Sequence, residues 1–175
     1  MQEYSFTLKF NFQDAHTDPN SYIEKLYEGG CDDALIGAGK QGSIALDFMR
    51  EAPSAFEAIS GAITNVKKVI PNAILIEASP DFVGLTDIAV IMGCTRQNIR
   101  NVILNDRSRS PLPVYEGTPS IWHLSEVLTW LKEDKTYNID EALLEVSRIN
   151  MNFNIARNWR KIEPTLQENI KALVA

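Results

Sequence analysis

The chain has 175 residues, of which 45% are hydrophobic, and carries 17 Lys and Arg against 23 Asp and Glu, a formal net charge of −6. This length suffices for one domain or two small ones, and the composition is that of a globular protein rather than a disordered one. No apolar run reaches the length of a membrane span, and the start MQEYSFTLKF lacks the pattern of a signal peptide. The 2 cysteines indicate reduced thiols, so we expect a cytoplasmic protein.

Residues 1–80 predict an acidic sheet domain with the element order β-α-β-β-α-β. The first strand is indicated by strict alternation of apolar residues in YSFTLKFNF, and GAGKQG is typical of a hairpin turn. The predicted elements are, in chain order, a strand at 4–12, a helix at 21–27, strands at 34–37 and 43–48, an amphipathic helix at 54–69 and a strand at 73–77. This order favours a ferredoxin-like sheet with two helices on one face, within an α+β protein.

No set of residues predicts catalysis or a metal site. GAGKQGS lacks the spacing of a phosphate-binding P-loop, and the carboxylates at 32, 33, 47 and 51 fit a solvated sheet rim better than acid/base or metal chemistry. His123 has no nucleophile beside it, and could either contact a phosphate or pack beside Trp122. We therefore expect neither an enzyme nor a cofactor.

Residues 85–104, LTDIAVIMGCTRQNIRNVIL, predict a helix-turn-helix. Ile88, Ala89 and Met92 share one face of the first helix, and apolar residues at 99, 102 and 103 give the second helix its own apolar face. Gly93 stands where the chain must turn with a positive φ, and Thr95 is a suitable N-cap. A helical hairpin in a protein core would show the same spacing, so the outward-facing residues decide between the two readings.

Those outward residues favour DNA. The second helix carries Arg, Gln and Asn and no acidic residue from 95 to 105, and these side chains match the base edges of the major groove. A Ser- and Pro-rich loop with Arg107 and Arg109 follows, then a return strand at 120–124 and a helix at 125–131. The predicted DNA-binding residues are Thr86, Thr95, Arg96, Gln97, Asn98, Arg100, Asn101, Arg107 and Arg109.

Together, residues 84–131 resemble the winged helix-turn-helix domains of the MerR and excisionase (AlpA-like) DNA-binding regulators. The residues that carry the resemblance are Leu85, Thr86, Ala89, Gly93, Thr95, Arg96, Ile99, Pro111, Pro113, Trp122, Ser125, Glu126, Val127, Trp130 and Leu131. The resemblance implies a recognition helix at 95–104, a wing that contains the two prolines, and tryptophans that serve as core anchors rather than base-stacking platforms.

The negative net charge does not oppose this interpretation, because the acidic excess is local. Residues 1–84 hold 6 basic and 12 acidic residues, whereas 85–131 hold 4 of each and 132–175 hold 7 of each. Within 95–109 four arginines face only Asp106, a local charge of +3. Since phosphate attraction acts over about a Debye length, roughly 8 Å, this basic strip can act despite a distant acidic domain.

The C-terminal segment, residues 138–175, predicts two helices divided at Pro164, which could form a dimer interface or a lid on the sheet. The leading functional hypothesis is a sequence-specific double-stranded DNA-binding protein, a transcriptional regulator that acts as a homodimer. The alternative is an antitoxin-like or ligand-sensing protein whose N-terminal domain binds a protein or small molecule while the winged domain autoregulates.

Overall fold

The N-terminal part of the chain forms a four-stranded antiparallel sheet. A computed structural model describes residues 1–106 and 108–174. The strands are β1 (Gln2–Asn11), β2 (Ala34–Gly37), β3 (Ser43–Ala52) and β4 (Ile74–Ser79), in the spatial order β2-β3-β1-β4. The predicted order of elements is confirmed, and so is the hairpin at 37–42, because Ala34 pairs with Phe48 and Gly37 with Ala45 across it.

One face of this sheet carries the first core. In β1 the residues Tyr4, Phe6, Leu8 and Phe10 are buried as the alternation predicts. The covering helices are α2 (Ala55–Val69), which is capped by the Ser54 side chain, and a helix near the C-terminus that contributes residues between 142 and 153. The free energy of this packing is mainly that of apolar burial, since the facing residues of β3 and α2 are almost all aliphatic or aromatic.

The prediction of one regular helix at 21–27 is wrong. Instead of one helix at 21–27, the chain makes a 3₁₀ turn at Pro19–Tyr22, a single α-turn α1 (Ile23–Leu26) and a π-turn at Tyr27–Cys31. The wide turn is possible because Gly30 adopts a φ of +92°. Its carbonyl oxygen then accepts hydrogen bonds from Arg50 and Asn65, which ties the segment to β3 and α2.

The second core lies in the C-terminal half. Its elements are β5 (Phe82–Val83), α3 (Leu85–Ile91), α4 (Arg96–Asn105), β6 (Trp122–His123), α5 (Leu124–Glu133), α6 (Glu141–Trp159) and α7 (Pro164–Val174). The return strand predicted at 120–124 is shorter than expected, because only two residues pair with β5 and Leu124 already begins α5. The break between the last two helices at Pro164 is confirmed.

Helix α6 belongs to both cores. Leu144 packs in the second core, whereas Val146, only two residues later, packs in the first together with Ile149 and Phe153. The Glu145 carboxylate between them accepts hydrogen bonds from the Tyr4 hydroxyl at 2.9 Å and from the Ala55 amide at 2.9 Å, at the start of α2. The predicted lid on the sheet is therefore α6, and its contacts join the two halves of the chain.

A buried polar cluster also connects the two halves of the chain, between the end of β4, β6 and α6. Asp81, 1% exposed, follows β4; its Oδ1 lies 2.6 Å from His123 Nδ1, and its Oδ2 accepts from Asn154 Nδ2 at 2.7 Å. The Asn154 amide also pairs with both backbone groups of Ala78, at 3.0 and 2.7 Å. Overall the protein is α+β, with 49% helix and 21% strand, as the sequence predicts at that level.

Candidate nucleic-acid interface

The turn between α3 and α4 has the geometry that its sequence predicts. Asp87 accepts a hydrogen bond from the Gly84 amide at 2.8 Å and so closes the start of α3. Gly93 adopts a φ of +62°, and the Cys94 amide then donates to the Ala89 carbonyl at 2.9 Å. The Thr95 hydroxyl accepts from the Asn98 amide at 3.1 Å, so α4 begins with a satisfied cap.

The inner faces of the two helices are buried as predicted. Ile88 and Ala89 of α3 pack with Ile99 and Ile103 of α4, and Cys94 lies partly buried at the edge of the same core. Trp122 and Trp130 are both buried, at 6% and 5% exposure, so they are core side chains rather than platforms for bases. Packing on this side leaves the opposite face of α4 free.

That free face carries the predicted polar side chains. Arg96, Gln97, Asn98, Arg100 and Asn101 are all exposed, and so are Thr86 and Thr95. Gln97 Nε2 donates to Asn101 Oδ1 at 2.9 Å, one helical turn away. Arg96 and Arg100 take part in no ion pair among residues 1–106 and 108–174, so their positive charges remain available.

The loop between α4 and β6 is the segment that the sequence predicts as a wing, and one pair of residues closes it. Tyr115 and Ile121 exchange two backbone hydrogen bonds, at 3.3 and 3.0 Å, across the turn 116–120. At the base of the loop, the Trp122 indole donates to the Pro111 carbonyl at 3.2 Å. These contacts close the loop on itself and tie its base to β6.

A cleft of about 530 Å³ separates the wing tip from the two helices. Its walls combine Thr86 and Asp87 of α3, Arg96 and Arg100 of α4, and the wing residues 117–121. The structure thus brings together three of the predicted residues from two helices. The cleft also includes the wing tip, residues 117–121, which the sequence indicated only as a turn. The spacing between that turn and the return strand is the sequence signal that could have placed these residues at the cleft.

The two wing arginines do not join this cleft. Arg107 lies outside the described residues. Arg109 does not line the cleft; its guanidinium lies 3.7 Å from Asp106 and 3.6 Å from Asp134, and 69% of its side chain is exposed. Lys135 donates to Asp106 at 2.6 Å and thereby lowers the pKa of that carboxyl, so Asp106 stays ionised beside Arg109.

His123 is buried against Asp81 and Phe82, so of the two roles that the sequence left open the structure supports packing.

No protein-family model, no curated protein and no solved structure matches the chain. Within the ranges 1–106 and 108–174, no helix is both long and apolar enough to cross a membrane, and no group of three or more His, Cys, Asp or Glu side chains is placed to hold a metal ion.

Proposed function

We propose that the chain is a sequence-specific double-stranded DNA-binding protein that acts as a transcriptional regulator, with α4 as the helix that enters the major groove. The observation that carries this proposal is the exposed face of α4, which presents three amide side chains, no acid, and two arginines that form no ion pair with any residue the structure describes. Arginine pairs with guanine edges and Asn or Gln with adenine edges, so this face suits base recognition.

The surroundings of α4 support the same proposal. The α3–α4 pair, the loop closed by Tyr115 and Ile121, and the following α5 support the proposal of a winged helix-turn-helix at residues 84–131. Thr86 and Thr95 lie at the starts of their helices, where hydroxyl and amide groups commonly contact phosphates. The strand order β2-β3-β1-β4, antiparallel throughout, supports the inference of a ferredoxin-like N-terminal unit.

The test starts with selection of a binding sequence from random duplexes by the full chain, followed by fluorescence anisotropy with that duplex. Arg96→Ala and Gln97→Ala should each lose about 1–3 kcal/mol of binding free energy if they contact base edges, and relax specificity at the contacted pair. Arg100→Ala should reduce the salt dependence of binding if it contacts a phosphate. Arg148→Ala serves as the matched control, because Arg148 is an exposed arginine of α6 that forms no ion pair within 1–106 and 108–174.

The proposal fails if no duplex is enriched, or if the Arg96→Ala/Gln97→Ala double variant binds as tightly as the unmodified chain. Equal losses in the double variant and in Arg148→Ala would also contradict it, since the effect would then be one of overall charge. Thermal unfolding of each variant separates lost contacts from lost folding.

We further propose a homodimer, because twofold-symmetric sites are commonly read by dimeric helix-turn-helix proteins. The surface that supports it is α7, which has no buried residue and exposes Leu166 at 47% and Leu173 at 84%. Light scattering after size exclusion should give twice the chain mass for the unmodified protein and the monomer mass for Leu166→Glu/Leu173→Glu. A monomer in both, at micromolar concentration, would refute this interface.

A further inference from the structure

A second cleft lies on the N-terminal half, remote from α4. It is bounded by α2, by the loop that precedes β4 and by the last turn of α6 with the residues that follow it, and it has a volume of about 790 Å³. Clefts of about 300–1,000 Å³ are typical of sites for small organic ligands. Its lining differs from the surrounding surface in charge.

Four cations line this cleft: Lys67 of α2, Arg157 of α6, and Arg160 and Lys161 just beyond α6. No Asp or Glu lines it, although residues 1–84 as a whole carry twice as many acidic as basic side chains. Across the two described ranges, none of the four forms an ion pair, whereas Lys9, Arg50 and Lys135 all do. Gathered like charges without counter-ions favour an anion.

Arg157 adds a second observation. Its Nε is buried and has no acceptor in the part of the chain described by the structure, while one terminal nitrogen donates to Asn158 at 3.1 Å. A buried donor without an acceptor is uncommon and costly. A small rotation of this guanidinium toward an anion in the cleft would satisfy the donor, and the bidentate geometry of Arg suits a phosphate.

The floor of the cleft is apolar. Ile63, Leu75 and Phe153 are partly buried there, and Ile74 leaves 58% of its surface exposed at the edge. The amides of Gln13 and Asn72 stand beside this floor. The cleft therefore offers an anion subsite and an adjoining apolar subsite with hydrogen-bonding groups, a combination that suits a phosphate ester attached to a planar, partly apolar ring.

We propose that this cleft binds a free nucleotide, with its phosphates among Lys67, Arg157, Arg160 and Lys161 and its base on the apolar floor. A DNA duplex fits the site less well, because its bases are stacked inside and its convex backbone would leave the floor uncovered. The site lies outside the proposed DNA interface and does not depend on it.

The test is calorimetric titration of the full chain with each of the four ribonucleoside triphosphates, with adenosine, and with inorganic phosphate. At least one nucleotide should bind with a Kd below about 100 µM, a range that calorimetry resolves. Adenosine and inorganic phosphate should each bind at least about tenfold more weakly than that nucleotide, since each occupies one subsite only. Lys67→Gln and Arg160→Gln should each weaken nucleotide binding about tenfold, through loss of a charged hydrogen bond.

Lys40→Gln is the matched control, because Lys40 is an exposed lysine of the hairpin 37–42 that does not line the cleft, and it should leave nucleotide affinity unchanged. Absence of binding by all four nucleotides up to about 1 mM overturns the proposal, and so does equal affinity in Lys67→Gln and the unmodified chain. A drop in duplex affinity in Lys67→Gln without any nucleotide binding would also overturn it and make the cleft a DNA contact. Failure of the Arg96 and Gln97 variants to alter duplex binding bears on the proposed function alone.

Discussion

The strongest stability prediction concerns Asp81, at the joint between the two cores. Its carboxylate contacts His123 of β6 and Asn154 of α6, and its backbone oxygen accepts from the Leu124 amide at 2.7 Å. Asp81→Ala leaves the backbone bond in place but removes both side-chain partners. The variant therefore isolates what the carboxylate contributes to holding β4, β6 and α6 together.

The magnitude follows from the groups that lose their partner. His123 is 8% exposed and Asn154 is 1% exposed, so water cannot reach the freed donors without local opening. Leaving a buried polar group unpaired costs about 1–3 kcal/mol. His123 Nδ1 loses its partner, whereas Asn154 Nδ2 keeps its bond to the Ala78 carbonyl, so we expect a loss of about 2 kcal/mol in the free energy of unfolding. Relief of the desolvation of the carboxylate keeps the loss below the upper end of that range.

Asp81→Asn is the informative control. An amide can accept from Asn154 through its oxygen and donate to His123 Nδ1 through its nitrogen, if the imidazole carries its proton on Nε2. We therefore expect a loss of about 1 kcal/mol or less for this variant. Urea unfolding followed by tryptophan fluorescence and far-UV circular dichroism measures both. The reasoning is refuted if Asp81→Ala costs less than about 1 kcal/mol, or if Asp81→Asn is as damaging as Asp81→Ala.

Three further predictions test other parts of the molecule. Gly93→Val should destabilise the fold by about 1–2 kcal/mol while Gly93→Asn costs less, because the φ of +62° rather than space is limiting there; equal unfolding midpoints in urea would contradict this. Cys31 should resist iodoacetamide in the folded chain at pH 8 and react after denaturation, because burial raises the pKa of its thiol to about 11; rapid labelling of native Cys31 by mass spectrometry would show otherwise. Asp106→Asn should lower the free energy of unfolding at pH 6, but progressively less below about pH 4. The reason is that the folded-state pKa of Asp106 lies below its unfolded value, so its stabilising contribution disappears as the carboxylate takes up a proton. A constant difference in unfolding free energy between the variant and the unmodified chain across the pH series would exclude this.

Local features of the fold could be predicted where one residue controls one conformation. The alternation in β1, the positive φ at Gly93, the cap at Thr95 and the break at Pro164 each follow from the chemistry of that residue or its neighbours. The exposed face of α4 followed in the same way, since helical periodicity determines which side chains lie opposite an apolar stripe.

The features that sequence did not predict depend on distant partners. The turns at Pro19–Cys31 depart from a regular helix because Arg50 and Asn65 hold the Gly30 carbonyl. The β5–β6 pair has two residues on each side and joins segments about 40 residues apart, so it has no periodic signal. The orientation of Arg109 likewise depends on a distant partner, because Asp134 at the end of α5 contacts it together with Asp106.

Helix α6 determines how the proposed sites relate to each other. Interfaces between domains of one chain are often mobile, but here α6 contributes to both cores and Asn150 and Asn154 bind the segment between them, through Pro80, Ala78 and Asp81. Arg157 lies 13 residues beyond Leu144 on this helix, about 20 Å along its axis at 1.5 Å per residue. This helix and its asparagine contacts are thus one connection, beside β4 and the segment 80–84, between the part of the chain that holds the nucleotide cleft and the part that holds α4.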